Sequence, residues 1–133
     1  MLEKLFARKE PTKKVLVVED DAMLSMVLAE SLKAEKYKVL VVADGSLVFD
    51  EVIKFSPNLI LLDLILPGID GFSVLKQLKD DSKTTNIPVV VVSNLDSVSD
   101  VKSVKALGAD QYFLKATTKI EVIIEYVKDR LKK

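Results

Sequence analysis

The sequence predicts an α/β fold, a doubly wound parallel sheet of five strands with helices on both faces. Short β-branched runs alternate strictly with longer amphipathic stretches along the chain, a pattern typical of βα units. Residues 89–92 are four consecutive valines, as expected of a strand buried on both faces of such a sheet. The length of 133 residues suits one domain, and right-handed crossovers leave few topologies for it.

The first half of the chain predicts three strands and two helices. Residues 15–18 form an apolar strand, and residues 21–35 form a helix because apolar residues recur there every three or four positions. Residues 38–42 form the second strand, residues 46–55 the second helix and residues 59–62 the central strand. The core stripes of the two helices are assigned to Leu24, Val27, Leu28, Ser31 and Leu32, and to Leu47, Val48, Val52 and Phe55.

The second half predicts three helices and two strands. The turn at Asp70-Gly71 precedes a short helix over residues 72–79. The valine strand at residues 89–92 is followed by a helix over residues 97–107, which Gly108 ends as a C-cap. The chain closes with a strand and a helix, residues 112–114 and 118–131.

Composition excludes several classes of chemistry. The chain has no cysteine and no histidine, which excludes disulfides, thiolate or imidazole metal sites and Ser-His-Asp catalysis. The net charge is zero, and this balance indicates no nucleic-acid partner. Residues 15–118 nevertheless hold ten basic and fifteen acidic groups, a net charge of −5. An acidic body favours a bound cation over a bare phosphate.

No stretch of the sequence predicts a membrane span or a signal peptide. The longest apolar run is interrupted by Asp63, and a span needs about 18 apolar residues. The first residues lack the long apolar stretch of a signal peptide. We therefore expect a cytoplasmic location.

Polar side chains stand at the carboxyl ends of four predicted strands, where open α/β sheets bind their ligands. They are Glu19-Asp20-Asp21, Asp63, Ser93-Asn94 and Lys115. Clustered carboxylates repel one another unless a cation neutralises them, and their hard oxygens suit Mg²⁺. One carboxylate can then act as a nucleophile, while Ser93 and Lys115 hold the oxygens of a transferred phosphoryl group.

Four segments in this order resemble the response-regulator receiver domain of two-component signalling over residues 14–131. They are Val17-Val-Glu19-Asp20-Asp21, the stretch from Asp63 to Gly71, the stretch from Pro88 to Asn94, and the stretch from Gly108 to Lys115. The resemblance implies a flavodoxin-like (βα)5 fold with strand order 2-1-3-4-5. It divides the chain into an N-terminal extension, residues 1–13, and a receiver domain, residues 14–133.

The resemblance also implies a phosphoacceptor and a metal site. Asp63 would accept a phosphoryl group from a histidine kinase or a histidine phosphotransfer protein. Asp20, Asp63 and the backbone carbonyl of Ile65 would bind Mg²⁺, with Glu19 acting through water and Mn²⁺ as a substitute. The domain would be a switch that promotes its own phosphorylation and dephosphorylation, with no metabolic substrate.

Further residues take implied roles around the phosphoryl group. Ser93, Lys115 and the backbone N–H of Asn94 would contact its oxygens. Ser93 and Tyr112 would form the switch that alters binding of an unknown downstream protein. The same resemblance makes the fourth helix, fifth strand and fifth helix a possible homodimer surface, to which we assign Val122 and Tyr126.

Three positions depart from the family pattern. Ala116 replaces the proline that usually follows the lysine, and a cis bond there would cost about 2.5–4 kcal/mol without proline. We therefore predict a trans Lys115-Ala116 bond that still lets Lys115 reach Asp63. Ile65 and Leu95 offer no polar group to position an attacking water, which favours a slowly hydrolysing acyl phosphate.

Two surface features indicate partners. Met23 and Met26 lie beside the core stripe of the first helix, and exposed methionine suits a kinase-docking face; Ala116 and Thr117 are assigned to the same docking role. In the N-terminal extension Leu2, Leu5 and Phe6 have helical spacing. We predict a short helical turn there that packs on the domain or on a neighbouring chain.

Three alternatives remain at this point. An aspartate-nucleophile phosphatase would need its nucleophile first in an Asp-x-Asp motif after strand one, where this chain has Glu19. A flavin mononucleotide site would need N–H donors after strand one, where the acidic residues would repel phosphate. A degenerate receiver kept only for protein interaction is supported by Ala116 alone.

Overall fold

The computed structural model describes residues 11–132, in which five strands alternate with five helices. The predicted turn at Leu2, Leu5 and Phe6 lies outside these residues. The elements are β1 (Lys14–Val18), α1 (Ala22–Ala34), β2 (Lys38–Val42), α2 (Gly45–Phe55), β3 (Leu59–Leu62), α3 (Gly71–Asp80), β4 (Val89–Ser93), α4 (Val98–Ala106), β5 (Gln111–Leu114) and α5 (Ile120–Leu131).

The five strands form one parallel sheet in the order β2-β1-β3-β4-β5. The predicted α/β class and strand order are therefore confirmed. β1 lies between β2 and β3, so that Val18 is level with Val42 on one side and with Leu62 on the other. This register brings the residues that follow β1 and β3 to the same edge of the sheet.

Each face of the sheet packs on its own set of helices. Leu16 and Val18 of β1 belong to the core cluster under α2, α3 and α4. Val15 and Val17 alternate with them and belong to the cluster under α1 and α5. All four valines of β4 are buried, as a strand covered on both faces requires.

The structure corrects two predicted core positions. Val27 of α1 is 39% exposed, and the buried residues of that helix are Ser25, Leu28, Ala29 and Leu32. Leu47 of α2 is 55% exposed, because the helix begins at Gly45 and its buried stripe continues through Val48 and Val52. In both helices the wrongly assigned residue directly precedes a buried one, about 100° around the helix axis from it.

Tyr126, which the sequence assigned to a partner or dimer surface, contacts residues at the start of β5. The Tyr126 hydroxyl donates to the Asp110 carboxylate, and Arg130 Nε lies 3.1 Å from the same carboxylate. The Tyr126 ring meets Phe113 edge to face, with ring centroids 5.6 Å apart. Val122 is 49% exposed, and the homodimer surface stays a prediction.

This contact shifts the ionisation of both partners. Burial raises the pKa of Asp110, but the hydrogen bonds from Tyr126 and Arg130 outweigh it and hold that pKa below its ordinary value of 3.8. Burial and the hydrogen bond to Asp110 raise the pKa of Tyr126 to about 12. The contact therefore favours the charged carboxylate and the neutral phenol.

No helix among residues 11–132 is long and apolar enough to cross a membrane. The longest are α1 and α5, and each carries charged side chains on its exposed side. The expectation of no membrane span holds for this part of the chain.

We predict that Asp110→Asn lowers the free energy of unfolding by about 1 kcal/mol at pH 7, because the charged acceptor of two hydrogen bonds is lost. A group whose pKa is lowered by folding stabilises the fold above its ordinary pKa, and that contribution is lost as pH falls through the lower folded value. The difference between variant and parent should therefore shrink below pH 3.8.

Urea denaturation across this pH range measures both effects. Asp129→Asn is the matched control, because it removes an exposed carboxylate from α5, the helix that Asp110 contacts. A destabilisation by Asp110→Asn that does not change with pH would contradict the prediction.

Candidate functional site

An acidic cluster lies at the carboxyl edge of the sheet. Glu19 and Asp20 follow β1, and Asp63 follows β3. One carboxylate oxygen from each of these residues lies within 4.8 Å of the others. The parallel pairing of β1 with β3 creates this proximity, since the two strands end level with each other.

Asp63 is 4% exposed, and both of its carboxylate oxygens accept hydrogen bonds. Its Oδ2 accepts from Lys115 Nζ at 2.8 Å. Its Oδ1 accepts from the backbone N–H of Ile65 at 3.2 Å. The predicted ion pair between Lys115 and Asp63 is confirmed, and the two donors orient the carboxylate.

Glu19 shares the same ammonium, a contact that the sequence analysis missed. It is 3% exposed, and its Oε1 lies 2.7 Å from Lys115 Nζ. Its Oε2 accepts from the backbone N–H of Asp21 at 3.0 Å. Glu19 is the first residue after β1, and so it lies beside Asp63, the first residue after β3.

Burial and ion pairing shift the pKa values of this cluster in opposite directions. Burial raises the pKa of Glu19 above its ordinary value, although the hydrogen bond from Lys115 lowers it. Burial disfavours the charged form of Lys115, but its bonds to Asp63 and Glu19 outweigh burial and raise the pKa of that ammonium. Lys115 is therefore held in its charged form between two acidic groups.

Asp21, the third residue of the acidic run that follows β1, caps a helix. Asp21 accepts hydrogen bonds from the backbone N–H groups of Met23 at 3.0 Å and Leu24 at 3.2 Å, which makes it the N-cap of α1. Asp20 is exposed and remains in the cluster. Of the run Glu19-Asp20-Asp21 only the first two residues belong to the cluster, because the chain turns at Asp21 to begin α1, whose first N–H groups need acceptors.

Ser93 ends β4 and is fully buried. Its Oγ accepts from the backbone N–H of Leu95 at 3.4 Å, and the hydroxyl of Tyr112 donates to the Leu95 carbonyl. Burial raises the pKa of the half-buried Tyr112. Ser93 and Tyr112 are thus joined through one loop residue, and Asn94 beside them is exposed.

Lys115 reaches the cluster without a proline after it. No peptide bond within residues 11–132 is cis, so the predicted trans Lys115-Ala116 bond is confirmed. The backbone N–H of Lys115 donates to the Ser93 carbonyl at 2.9 Å, which continues the pairing of β5 with β4 up to that residue. Ala116 and Thr117 follow it on the surface.

Two glycines hold the loop that follows Asp63, and the sequence analysis did not single them out for this. The backbone N–H of Gly45 donates to the Pro67 carbonyl at 3.0 Å, and a Cβ on Gly45 would lie 1.7 Å from the Ile69 carbonyl oxygen. A Cβ on Gly71 would lie 2.4 Å from the Asp63 carbonyl oxygen. The loop therefore packs backbone to backbone on both sides.

Comparison with known proteins assigns the family. A model described as the response regulator receiver domain matches residues 15–128. The chain is a response regulator receiver domain. PleD of Caulobacter vibrioides is 37% identical over 102 residues, which are 77% of this chain and 22% of PleD. The receiver domain spans between 22% and 52% of the first curated relatives it matches.

Solved structures agree with this assignment. The BeF3-activated N-terminal receiver domain of RstA from Klebsiella pneumoniae has 29% identity and a TM-score of 0.83, and the match covers 91% of this chain and 100% of that one. The Mn(2+)-bound form of response regulator Rcp1 has 28% identity and a TM-score of 0.78, covering 88% and 92% of the two chains.

The methionines that were assigned to kinase docking are on the surface of the receiver domain. Met23 is 73% exposed and Met26 is 59% exposed. Both lie on α1 outside its buried stripe. Their accessibility is compatible with docking, and the docking role stays a prediction.

We predict that Gly45→Ala displaces the loop after Asp63, because the new Cβ meets backbone that cannot rotate away. The free energy of unfolding should fall by about 2 kcal/mol or more, as for other steric conflicts in packed regions. The amide resonance of Ile65, whose N–H donates to Asp63, should shift.

Gly108→Ala is the matched control. Gly108 has φ +104°, and the atoms nearest to its added Cβ would belong to the flexible Lys79 side chain, at 3.4 Å and beyond. Backbone strain should destabilise this variant as well, but the Ile65 amide resonance should not shift. An unshifted Ile65 resonance in Gly45→Ala would contradict the prediction that Gly45 positions the loop after Asp63.

Proposed function

We propose that this receiver domain accepts a phosphoryl group on Asp63 in a Mg²⁺-dependent reaction and thereby switches its protein interactions. The donor is the phosphohistidine of a histidine kinase or phosphotransfer protein. The observation that carries the proposal is the Asp63 carboxylate, buried beside two further acids and one ammonium. The domain in this proposal is a signalling switch without a metabolic substrate.

The donor set fits a divalent cation. Three carboxylates within 4.8 Å of one another provide the hard, anionic oxygens that Mg²⁺ prefers. Asp20, Asp63 and the Ile65 carbonyl would hold it directly and Glu19 through water. Mn²⁺ would fit the same oxygens, and the related Rcp1 has been solved in a Mn(2+)-bound form. When bound, the cation supplies positive charge that offsets the repulsion between the acidic cluster and a phosphoryl anion.

Each residue of the site has its own role in the proposed phosphoryl transfer. An oxygen of Asp63 forms a bond to phosphorus while the bond from phosphorus to the donor imidazole nitrogen breaks. Lys115 lies 2.8 Å from Asp63 and is placed to bind a phosphoryl oxygen. Ser93, the last residue of the neighbouring strand β4, and the backbone N–H of Asn94 would contact the others. Ile65 and Leu95 bring no polar side chain to the site, which in this proposal lengthens the life of the acyl phosphate.

The link between Ser93 and Tyr112 supports a switch. Both contact the same short loop, through the Leu95 N–H and the Leu95 carbonyl. Movement of the Ser93 hydroxyl towards a phosphoryl group would change the loop that holds Tyr112, and phosphorylation would shift the balance between two existing conformations.

An interaction-only receiver is the weaker reading. Ala116 was its one support in the sequence. The trans bond at Ala116 leaves Lys115 in contact with Asp63 and Glu19, which supports a competent site.

We predict that acetyl phosphate with Mg²⁺ adds one phosphoryl group to the protein and that Asp63→Asn abolishes the addition, because the nucleophilic carboxylate is gone. Intact-protein mass spectrometry detects the product. Chelation of Mg²⁺ should prevent labelling, and Asp20→Ala should raise the Mg²⁺ concentration required.

Asp129→Asn, which changes an exposed carboxylate on α5, serves as the control and should be labelled like the parent. Full labelling of Asp63→Asn would remove the basis of the proposal.

We further predict that Mg²⁺ with beryllium fluoride shifts amide resonances as far as Tyr112 and residues 101–105 of α4. Ser93→Ala should suppress the distant shifts while retaining those of Asp63 and Ile65, because it removes the hydroxyl that transmits the change. Shifts confined to the site loops in the parent protein would show that no relay exists.

A further inference from the structure

The strand β2 forms one edge of the sheet, and its outer side faces no other strand within residues 11–132. The backbone N–H of Lys38 donates to the strand β1, and the Val42 carbonyl accepts from the residue that follows β1. Alternate residues of a strand bond to the same neighbour. The residues between them therefore direct their backbone N–H and C=O groups away from the sheet, namely Val39, Val41 and, beyond the strand, Ala43.

This edge lacks the features that usually prevent a sheet edge from pairing with another chain. Natural edge strands carry a proline, a bulge or a charged side chain in their middle. The central residues of β2 are instead Val39, Leu40 and Val41, and Val41 is 40% exposed. The strand pairs with β1 residue by residue from Lys38 to Val42, without a bulge. The outer side of β2 is therefore able to accept a further strand.

The two ends of this edge carry opposite charges. Lys38 is exposed at the start of β2, and the exposed Lys36 lies two residues before it. Asp44 follows the end of the strand, and its φ of −134° and ψ of 126° continue the extended backbone. Neither Lys38 nor Asp44 forms an ion pair within residues 11–132. An antiparallel copy of the same edge therefore brings opposite charges together, whereas a parallel copy would bring like charges together.

We propose that two copies of this domain pair through their β2 edges, antiparallel and related by a two-fold axis at Val41. In this register Val41 lies opposite Val41 of the second copy, and Val39 lies opposite Ala43. Each of these residues has one outward N–H and one outward C=O, so each donates one hydrogen bond and accepts one across the axis. The two five-stranded sheets then form one continuous sheet.

The side chains favour this register. With Val41 on the axis, Lys38 lies opposite Asp44 of the second copy, and Leu40 lies opposite Val42. Leu40 and Val42 pack on the core under α2, α3 and α4, and side chains alternate along a strand, so Lys38 and Asp44 project to that same face. These are non-hydrogen-bonded pairs, in which the side chains approach most closely. A register shifted by two residues would place Lys38 opposite Val42 instead, without a charged partner.

The proposed dimer is independent of the phosphorylation switch. The strands β2 and β5 are opposite edges of the sheet, so the surface of α4, β5 and α5 stays accessible in both copies. The antiparallel arrangement directs the two Asp63 sites to opposite ends of the joined sheet. The inference therefore goes beyond the proposed function, and dimerisation should be the same in the parent protein and in Asp63→Asn.

Analytical ultracentrifugation over a range of protein concentrations measures the dissociation constant of the dimer. Val41→Lys should abolish the dimer, because two lysines then face each other at the two-fold axis. The variant should keep the circular dichroism spectrum of the parent, since Val41 is on the surface. Val122→Lys is the matched control: it adds the same charge to a 49% exposed valine of α5 and should leave the dissociation constant unchanged.

Two charge-removing variants test the register. Lys38→Gln and Asp44→Asn each eliminate both copies of the ion pair and should raise the dissociation constant by about tenfold. Asparagine is as good an N-cap as aspartate, so Asp44→Asn retains the cap that Asp44 provides for α2. The double variant should dimerise no more weakly than either single variant, because the pair is already lost in each. Additive effects of the two changes would contradict the pairing of Lys38 with Asp44.

The absence of cysteine from the chain allows the contact at the axis to be tested directly. Val41→Cys introduces one thiol opposite its own copy, where the Cα atoms of a hydrogen-bonded antiparallel pair lie about 5.5 Å apart, a distance that a disulfide spans. Oxidation should join Val41→Cys into a covalent dimer many times faster than Val39→Cys. The two copies of residue 39 are separated along the strands in this register, so Val39→Cys is the matched control.

Three results would overturn the proposal. The first is a parent protein that stays monomeric at every concentration, and protection of its Val41 amide from hydrogen exchange would then show that another part of the chain covers the edge. The second is a dimer that Val122→Lys dissociates and Val41→Lys leaves intact, which would place the interface on α5. The third is equally fast cross-linking of Val41→Cys and Val39→Cys, which would exclude the two-fold axis at Val41.

Discussion

The carboxyl edge of this fold depends on the two ion pairs that the ammonium of Lys115 forms. Two carboxylates, Glu19 and Asp63, are almost completely buried there, and one positive charge lies within 2.8 Å of both. Removing one partner of such a buried group typically costs about 3–5 kcal/mol, because the other charge remains without compensation. The ends of β1, β3 and β5 must therefore converge on one point, which is what the parallel sheet provides.

The loops at this edge have to be as well defined as the strands. The Ile65 N–H orients Asp63, and Ile65 lies in the loop after β3. The backbone of that loop can approach Gly45 and Gly71 closely because neither residue has a side chain. On the other side, Lys115 keeps its register through the Ser93 carbonyl rather than through a proline. Each side chain of the site is held by only one or two hydrogen bonds. Short backbone contacts between the loops therefore maintain the geometry of the site.

Much of the fold and of the site could be predicted from the sequence. The reasons for this also explain which predictions were wrong. Strand and helix periods are strong local signals, and strand ends in a parallel sheet meet at one edge, so Asp63 and Lys115 could be placed at the same edge of the sheet. Val27 and Leu47 were misplaced because an apolar residue next to a buried one satisfies the same helical spacing. The second bond of Lys115 to Glu19, the capping role of Asp21 and the contact of Tyr126 with Asp110 depend on rotamers and loop paths. The role of Gly45 depends on contact with Ile69, which lies in a loop distant along the chain, and no local pattern reports such a contact.

The two-sided core also has a consequence for the order in which the protein is made. Val15 and Val17 are among the first core residues to be synthesised, yet part of their cover comes from Ile123, Ile124 and Val127 of α5, the last helix. Chains emerge from the ribosome N-terminus first, so a nascent chain can complete the layer under α2, α3 and α4 while the layer under α1 is still open. This side of the sheet stays exposed to chaperones and to aggregation until α5 has been translated.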